Sequence, residues 1–301
     1  MFMFIPAFST ARYAARQVAR EASREGLEER TVPLGAGQVH YWAGGEGAPV
    51  MLIHGFGGDG PLTWRPQISS LSGSVRLIIP DLLSFGGSTA PEPPWTLDAQ
   101  VDAMEAVLDA EGLDHAAVVG ISYGGFVALQ LAREAPERVD RLVLCDSPGP
   151  EFSEADEAAL LERAGAASVQ DIFIPDTPDE VERLIGLISV NPRELPKPIL
   201  DDLLDEMFSG DRHAWASLLQ DLRSRRDDPE TLEWRPSMPT MLIWGEGDRV
   251  FPVEIGERLF ERLDVPLTVI PGAAHGPPTQ APRAFDAALM GFLGEEIVSR
   301  R

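Results

Sequence analysis

Short apolar runs alternate with amphipathic segments along most of the chain. Seven runs rich in aliphatic and β-branched residues predict strands at 39–43, 50–54, 75–79, 116–119, 141–145, 240–244 and 267–270. Most of these runs are continuous, which is typical of central strands covered on both faces. Helical periodicity between them predicts helices at about 97–111, 123–135, 253–263 and 282–293. This alternation predicts an α/β fold with a mostly parallel, doubly wound sheet of about eight strands.

The alternation stops between about 147 and 239. This stretch has no clear strand pattern, contains several prolines, and has helical patterns around 179–188, 199–208 and 213–225. It therefore predicts a helical cap at 147–239, inserted into a core made of 31–146 and 240–301. Residues 1–30 form a predicted N-terminal helical extension. A cap that follows strand ends lies over the edge where open α/β sheets bind their ligands.

The N-terminal extension has an unusual charge pattern. Ser9 is a candidate N-cap, and arginines then recur every fourth residue at Arg12, Arg16, Arg20 and Arg24, behind an apolar start at 1–8. The start is short and lacks a basic region and a cleavage site, so we expect no signal peptide. One interpretation is docking on an anionic membrane surface. The preferred interpretation is a helix that lies on the protein's own acidic surface.

Composition narrows the function classes. The 301 residues include 25 basic and 48 acidic side chains, which give a net charge of −23. This charge argues against nucleic acid as a partner, because phosphate binding needs basic surface. No apolar run approaches the roughly 20 residues needed to span a bilayer. Cys145 is the single cysteine, and its place in an apolar run predicts a buried thiol. A chain that can form no internal disulfide fits a reducing compartment, so we expect a cytoplasmic protein.

The strongest chemical signal is a G-x-S-x-G motif at 120–124, directly between a predicted strand and a predicted helix. This context is the one that a nucleophile elbow requires. Because the turn is sharp, the residues two before and two after Ser122 must be small, and Gly120 and Gly124 satisfy this condition. The serine then lies at a helix N-terminus, whose dipole favours developing negative charge. Ser122 is therefore the candidate nucleophile.

A serine hydroxyl needs a base, and the base needs an orienting carboxylate. Of the five histidines, His275 alone follows the last predicted strand and so reaches the same sheet edge as the elbow. Asp248 follows the strand before it, which gives the chain order Ser, acid, His typical of this arrangement. Glu246 is a second choice for the acid. Asp146 is a distinct rival, because it ends the strand before the cap.

Acyl chemistry also needs donors for the oxyanion. The backbone N–H of the residue after the nucleophile, Tyr123, is one candidate. The loop His54-Gly-Phe-Gly-Gly58 follows an earlier strand and places Phe56 as the second. For His54 itself, bracing this loop by hydrogen bonding is the preferred interpretation.

Together these motifs resemble the α/β-hydrolase superfamily over about 39–293. The similarity rests on His54-Gly-Phe-Gly-Gly58, Pro80-Asp-Leu-Leu-Ser-Phe-Gly-Gly-Ser88, Gly120-Ile-Ser-Tyr-Gly124, Trp244-Gly-Glu-Gly-Asp248 and Gly272-Ala-Ala-His275. Within the superfamily the chain looks most like the monoacylglycerol-lipase and esterase branch. The resemblance implies a cap at about 147–239, no cofactor or metal, and a Ser122, Asp248, His275 triad.

Two positions depart from the usual pattern of the superfamily. Ser84 stands where glycine is usual, and His275 is followed by Gly-Pro-Pro. Neither departure touches the triad.

The predicted function is hydrolysis of a small-molecule carboxylic ester through an acyl-enzyme. Relatives with an aspartate nucleophile are excluded by Ser122. Hydrolases that cleave carbon–carbon bonds of ring-cleavage products keep the serine but tend to have an aromatic residue where Gly276 stands. Perhydrolases with the same triad, and a ligand-binding protein with a silent triad, remain as alternatives. The oligomeric state is left open.

Substrate choice is expected to belong to the cap. The candidate pocket residues are Trp95, Phe152, Phe173, Met207, Phe208 and Trp215, joined by Leu219. These side chains either line an acyl pocket or form the cap's own core, and the second interpretation is slightly preferred.

Overall fold

The computed structural model describes residues 9–90, 93 and 95–294. The apolar start at 1–8 lies outside the described residues. Eight strands form one sheet: β1 (Leu27–Leu34), β2 (Gly37–Gly44), β3 (Pro49–Ile53), β4 (Arg76–Pro80), β5 (Ala116–Ile121), β6 (Val139–Cys145), β7 (Thr240–Gly245) and β8 (Leu267–Ile270). Their order across the sheet is β1-β2-β4-β3-β5-β6-β7-β8. Strand β2 is antiparallel to its two neighbours, and all other pairs are parallel. The predicted fold class is confirmed.

Strand β1 was not predicted from the sequence. It lies at the sheet edge and pairs only with β2. Of its eight residues only Leu27 is fully buried, and the rest alternate between exposed and half-buried positions. An edge strand with solvent on one face needs no continuous apolar run.

Fourteen α-helices complete the described chain: α1 (Thr10–Arg24), α2 (Gly60–Thr63), α3 (Arg65–Leu71), α4 (Leu97–Ala110), α5 (Tyr123–Glu134), α6 (Glu154–Ala164), α7 (Val169–Phe173), α8 (Pro178–Ile188), α9 (Lys197–Met207), α10 (Arg212–Ser224), α11 (Pro229–Glu233), α12 (Val253–Leu263), α13 (Pro277–Gln280) and α14 (Pro282–Gly294). None of the helices in these ranges is long and apolar enough to cross a bilayer.

The segment between β6 and β7 contains helices α6 to α11 and no strand. Helices α8, α9 and α10 lie within a residue or two of the predicted cap helices, whereas α6 and α7 were not predicted. Both missed helices begin with a capping box, Ser153 with Asp156 and Ser168 with Asp171. In a capping box the serine accepts an orphan backbone N–H and the acid returns the bond to the N-cap N–H. This signal could have located both helices.

The sheet has an apolar core on each face. In β3 the side chains of Met51 and Ile53 enter one cluster, and those of Val50 and Leu52 enter the other. Helices α4 and α5 cover the first face, and α1, α3 and α14 cover the second. Burial on both faces explains why the central strands read as continuous apolar runs.

Helix α1 lies on the protein itself, as the preferred interpretation predicted. Its buried face carries Val18 and Ala22, packed against the second core cluster. Its first turn is bonded to α9 of the cap, where Asp202 accepts the Ala11 N–H at 2.9 Å and Glu206 pairs with Arg12 at 2.7 Å. Helix α1 therefore ties the cap to the core.

Candidate active site

Ser122 lies at the turn between β5 and α5. Its backbone has φ 53° and ψ −120°, a region that non-glycine residues rarely adopt. The Ser122 N–H donates to the Cys145 carbonyl of the neighbouring strand at 2.9 Å, and its own carbonyl accepts the Gly125 N–H at 2.9 Å. These bonds hold the serine in the strained conformation at the N-terminus of α5. Cys145 is fully buried, as predicted.

The flanking glycines have a steric cause. A Cβ at Gly120 would lie 2.2 Å from the Gly124 carbonyl oxygen, and one at Gly124 would lie 2.3 Å from the His54 carbonyl oxygen. Both distances are shorter than any side chain tolerates, so the turn closes only with glycine at these two positions. The same close approach places the His54 loop against the serine turn.

His275 and Asp248 are joined by a hydrogen bond of 2.8 Å between Nδ1 and Oδ2. The other carboxylate oxygen, Oδ1, accepts the N–H groups of Val250 at 2.7 Å and Phe251 at 2.9 Å. The Phe251 ring also packs edge-on against the His275 ring at 5.4 Å. Asp248 is thus fixed by its own turn and in turn fixes the imidazole, whose Nε2 has no hydrogen-bond partner among the described residues.

His275 and Ser122 border the same pocket. The structure therefore brings the three predicted triad residues to one edge of the sheet. Glu246, the second choice for the acid, is exposed, and its carboxylate accepts the Gly272 N–H at 3.4 Å, whereas Asp248 is bonded to His275.

Phe56 and Tyr123 both border a pocket with Ser122. Neither of their backbone N–H groups has an acceptor within the described part of the chain. Tyr123 opens α5, where the first N–H groups of a helix have no intrahelical partner. Such N–H groups beside the serine are suited to bind a developing oxyanion.

His54 braces the loop, as the sequence indicated. Its Nδ1 donates to the Gly55 carbonyl at 2.7 Å, and its Nε2 accepts the Leu82 N–H at 2.9 Å. Burial lowers the pKa of His54, which keeps the ring neutral and able to accept this bond. The ring thus connects the loop at 54–58 to the loop that follows β4.

A second carboxyl, Asp146, lies beside the His275–Asp248 pair. It is fully buried, and Oδ1 accepts the Gly245 N–H at 2.8 Å. The nearest nitrogen or oxygen atoms of Asp146, Asp248 and His275 lie within 4.8 Å of one another. Carboxylate and imidazole groups this close together are also a candidate metal-binding set. We interpret it as hydrogen-bonded, because at 2.8 Å a proton already joins His275 to Asp248.

Two pockets meet at Ser122. The first, called here the aromatic pocket, includes Phe126, Phe152, Leu160, Phe173, Leu219 and Phe251. The second, called the histidine pocket, includes Gly57, Leu62, Ile188, Met207, Phe208 and His275. Ser122, Phe56 and Phe173 border both, whereas His275 borders only the second.

Several of the predicted pocket residues line one or both of these pockets. Phe152 and Phe173 line the aromatic pocket, and Phe173, Met207 and Phe208 line the histidine pocket. Phe173 and Phe208 also pack in the main core cluster. For these two residues both interpretations, pocket and core, are therefore correct.

Trp95 and Trp215 border neither pocket, so the pocket interpretation is wrong for both, whereas the preferred core interpretation agrees with their packing in the main core cluster. Trp95 lies in a separate groove, edge-on to His213 at 5.3 Å, because the chain there enters α4 along the outside of α10. Trp215 is stacked on Phe85 and packs between the cap and the core.

The pocket residues that the sequence analysis missed include Phe126, Phe251, Glu157 and Arg226. Phe126 is four residues after Ser122 in α5 and Phe251 is three after Asp248, so spacing from the triad could have found both. Glu157 is nearly buried and pairs with Arg226 and, at 3.1 Å, with Arg223. Nothing in the sequence indicates this charged group at the wall of an apolar pocket, because it joins α6 to the end of α10.

The comparisons with known proteins agree with this geometry. The model of the family described as alpha/beta hydrolase fold matches residues 48–278. A 2-hydroxymuconate semialdehyde hydrolase of Pseudomonas sp. (strain CF600) is 31% identical over 267 residues, covering 83% of this chain and 88% of that protein. Lipase 3 of Moraxella sp. (strain TA144) is 27% identical over 240 residues, which cover 78% of this chain and 74% of that protein.

Among solved structures, a membrane phospholipase A described as a bacterial virulence factor superposes with a TM-score of 0.78 at 25% identity, covering 94% of this chain and 91% of that one. The relatives thus include hydrolases of more than one bond type. The family match spans more than two thirds of the chain. The chain belongs to the α/β-hydrolase fold family and has the fold of its serine hydrolases.

Proposed function

We propose that this protein hydrolyses carboxylic esters through an acyl-enzyme on Ser122. The observation that carries the proposal is the position of Ser122 at the meeting point of two pockets, with His275 on one side only. An ester has two parts joined at the reacting carbonyl, and two pockets on either side of the nucleophile suit such a molecule.

The mechanism follows from the hydrogen bonds of the site. Ser122 Oγ attacks the ester carbonyl carbon while its proton passes to His275 Nε2. The backbone N–H groups of Phe56 and Tyr123 stabilise the oxyanion, and Asp248 holds Nδ1–H so that Nε2 remains the basic nitrogen. As the tetrahedral intermediate collapses, the alcohol leaves with the proton from His275. Water then attacks the acyl-enzyme by the same route and releases the carboxylic acid.

Because His275 borders only one of the two pockets, the alcohol and acyl groups of the ester can be assigned to different pockets. The leaving alcohol must lie near His275, because His275 protonates it. We therefore assign the alcohol to the histidine pocket and the acyl group to the aromatic pocket, whose wall is mainly apolar. Carbon–carbon bond hydrolysis is the alternative, supported by the relative that is 31% identical.

The first test compares Ser122→Ala and His275→Ala with the unchanged protein on p-nitrophenyl butyrate. Loss of either group should lower kcat by several orders of magnitude, about 10⁶ by analogy with other triad hydrolases. Thermal unfolding confirms that both variants are folded, and fluorophosphonate labelling of the unchanged protein confirms that Ser122 reacts. A higher kcat/KM on 2-hydroxymuconate semialdehyde than on the ester would select the carbon–carbon alternative.

A matched pair of variants tests the assignment of pockets. Leu219→Trp narrows the aromatic pocket and should shift preference toward shorter acyl chains in a series of p-nitrophenyl esters. Met207→Trp narrows the histidine pocket and should instead change the preference among alcohols of one acid. If Leu219→Trp leaves the acyl-chain profile unchanged, the assignment of the acyl group to this pocket is wrong.

A further inference from the structure

Asp146 occupies a position that the triad does not use. It directly follows β6, next to β7, whose following loop carries Asp248. Its backbone has a positive φ of 43°, which it shares with Ser122 and only two other non-glycine residues of the described chain. The Asp146 N–H donates to the Ile243 carbonyl at 3.0 Å. The carboxyl is therefore held rigidly, in a conformation that usually has a functional cause.

Its hydrogen bonds are incomplete. Oδ1 accepts the Gly245 N–H at 2.8 Å, whereas Oδ2 is buried and has no donor within the described residues. A buried carboxylate oxygen without a donor is costly, but a protonated oxygen can donate instead. The neighbouring polar groups are those of the Asp248–His275 pair, since the three side chains have ligand atoms within 4.8 Å of one another.

The charges of the two carboxyls depend on each other. Burial, then the charge of Asp248, raises the pKa of Asp146 well above its usual range, although the Gly245 N–H opposes the shift. Both oxygens of Asp248 are occupied, because Val250 and Phe251 donate to Oδ1 and His275 to Oδ2. Two buried carboxyls at this separation hold one proton between them rather than two negative charges.

We propose that Asp146 is a second positioning carboxyl for His275: it holds the shared proton while Asp248 is ionised, and it takes over the negative charge beside the imidazole when Asp248 cannot carry it. When Asp248 carries no charge, Asp146 releases its proton to solvent and becomes the carboxylate that stabilises the His275 imidazolium. The inference rests on the proposed function in one respect, namely that His275 is the base for Ser122.

The test is a double-mutant cycle with Asp146→Asn and Asp248→Asn. Asparagine keeps the shape, the acceptor for Gly245 and a donor in place of the acid proton, but it cannot ionise. Losing the orienting aspartate of a triad usually costs about 10⁴ in kcat. We expect Asp248→Asn to lose less than about 10³, Asp146→Asn to lose less than tenfold, and the double variant to lose at least tenfold more than the product of the two.

A pH profile separates this role from a structural one. The kcat of Asp248→Asn should rise with pH as Asp146 ionises. The double variant should lack this rise, because it has no carboxyl at position 146. Rates are expressed per active site titrated with fluorophosphonate, so that partial unfolding does not enter the comparison.

Two results would overturn the inference. One is equal activity of Asp248→Asn and the double variant, with the same pH profile. The other is a loss for Asp146→Asn as large as for Asp248→Asn. The same cycle is measured as the rate of Ser122 labelling by fluorophosphonate, which needs the base but no ester. If ester hydrolysis is absent while labelling shows the expected coupling, the proposed substrate is wrong and the role of Asp146 stands.

Discussion

The indole N–H of Trp215 in the cap donates a hydrogen bond of 2.8 Å to the backbone carbonyl of Ser84 in the core. The Trp215 ring is stacked on Phe85 at 5.5 Å, and a Cβ at Gly210 would lie 2.5 Å from it. Ser84 has a φ of 71°, in the left-handed region where glycine is usual. The loop after β4 thus turns its carbonyl toward the cap and fixes where the cap sits.

Trp215→Phe keeps an aromatic ring on Phe85 but removes the donor to Ser84. We expect the free energy of unfolding to fall by about 1 kcal/mol, because the half-buried Ser84 carbonyl loses its hydrogen-bond partner. Ser84→Gly is the matched control: it relieves the positive φ, keeps the carbonyl, and should stabilise by about 1 kcal/mol. Chemical denaturation measures both. Equal stability of Trp215→Phe and the unchanged protein would contradict the role given to this bond.

The His40–Asp81 pair predicts a pH dependence of stability. His40 Nδ1 lies 2.7 Å from Asp81 Oδ2, and Nε2 lies 2.9 Å from Glu29 Oε1. Burial alone would lower the pKa of His40, but the bonds to Asp81 and Glu29 outweigh it and raise the pKa overall. A raised folded pKa gives stability that is fully present below the unfolded value of about 6.5 and is lost as pH rises through the folded value.

The stability difference between the unchanged protein and His40→Gln should therefore be largest near pH 6 and shrink toward pH 9. Thermal unfolding across this range measures it. His115→Gln removes a half-exposed His–Asp pair and is the control, since exposed pairs contribute little. A difference that stays constant or grows with pH would show that His40 acts by packing alone.

Much of the site could be predicted because its parts are local. The elbow glycines, the loop after β3 and the residues after β7 and β8 follow from short motifs and strand ends, and parallel strands bring their carboxyl ends to one edge. The motifs do not decide which of the predicted aromatic side chains line the pockets. Trp95 and Trp215 are both aromatic residues near the cap, and only tertiary packing decides that neither reaches the pockets.

The ion pairs of Glu157 with Arg223 and Arg226, called here the charge group, predict how a substitution changes substrate preference. Glu157, Arg223 and Arg226 border the aromatic pocket, and together they carry one net positive charge. Glu157→Gln leaves both arginines unneutralised there. For p-nitrophenyl esters whose acyl chain ends in a carboxylate, kcat/KM should rise about tenfold relative to neutral chains of equal length.

Arg223→Gln is the opposite control, because it removes the extra positive charge and should lower the same ratio. A second measurement at high ionic strength tests whether the preference is electrostatic, since salt should then weaken the preference for anionic chains. If Glu157→Gln changes both substrate types equally, the charge group acts on cap stability and not on recognition.

The exposed face of α1 predicts binding to anionic lipid. Arg16, Arg20 and Arg24 lie on the face opposite the buried Val18 and form no ion pair within the described residues. Helix α1 also contacts α2 and α9, which both border the histidine pocket. A basic helix face adds about 1 kcal/mol per arginine at an anionic surface. We therefore expect the protein to sediment with vesicles that contain phosphatidylglycerol.

Vesicles of phosphatidylcholine alone should bind far less, and high salt should release the protein. Replacing the three arginines with glutamine should lower the partition coefficient by roughly 100-fold. The matched control removes three exposed arginines elsewhere, at Arg163, Arg235 and Arg249, which donate to backbone carbonyls. Both triple variants change the net charge equally. A difference in vesicle binding between them therefore shows that the basic face of α1 makes the contact. Equal loss in the two variants would mean that overall charge, and not α1, governs binding.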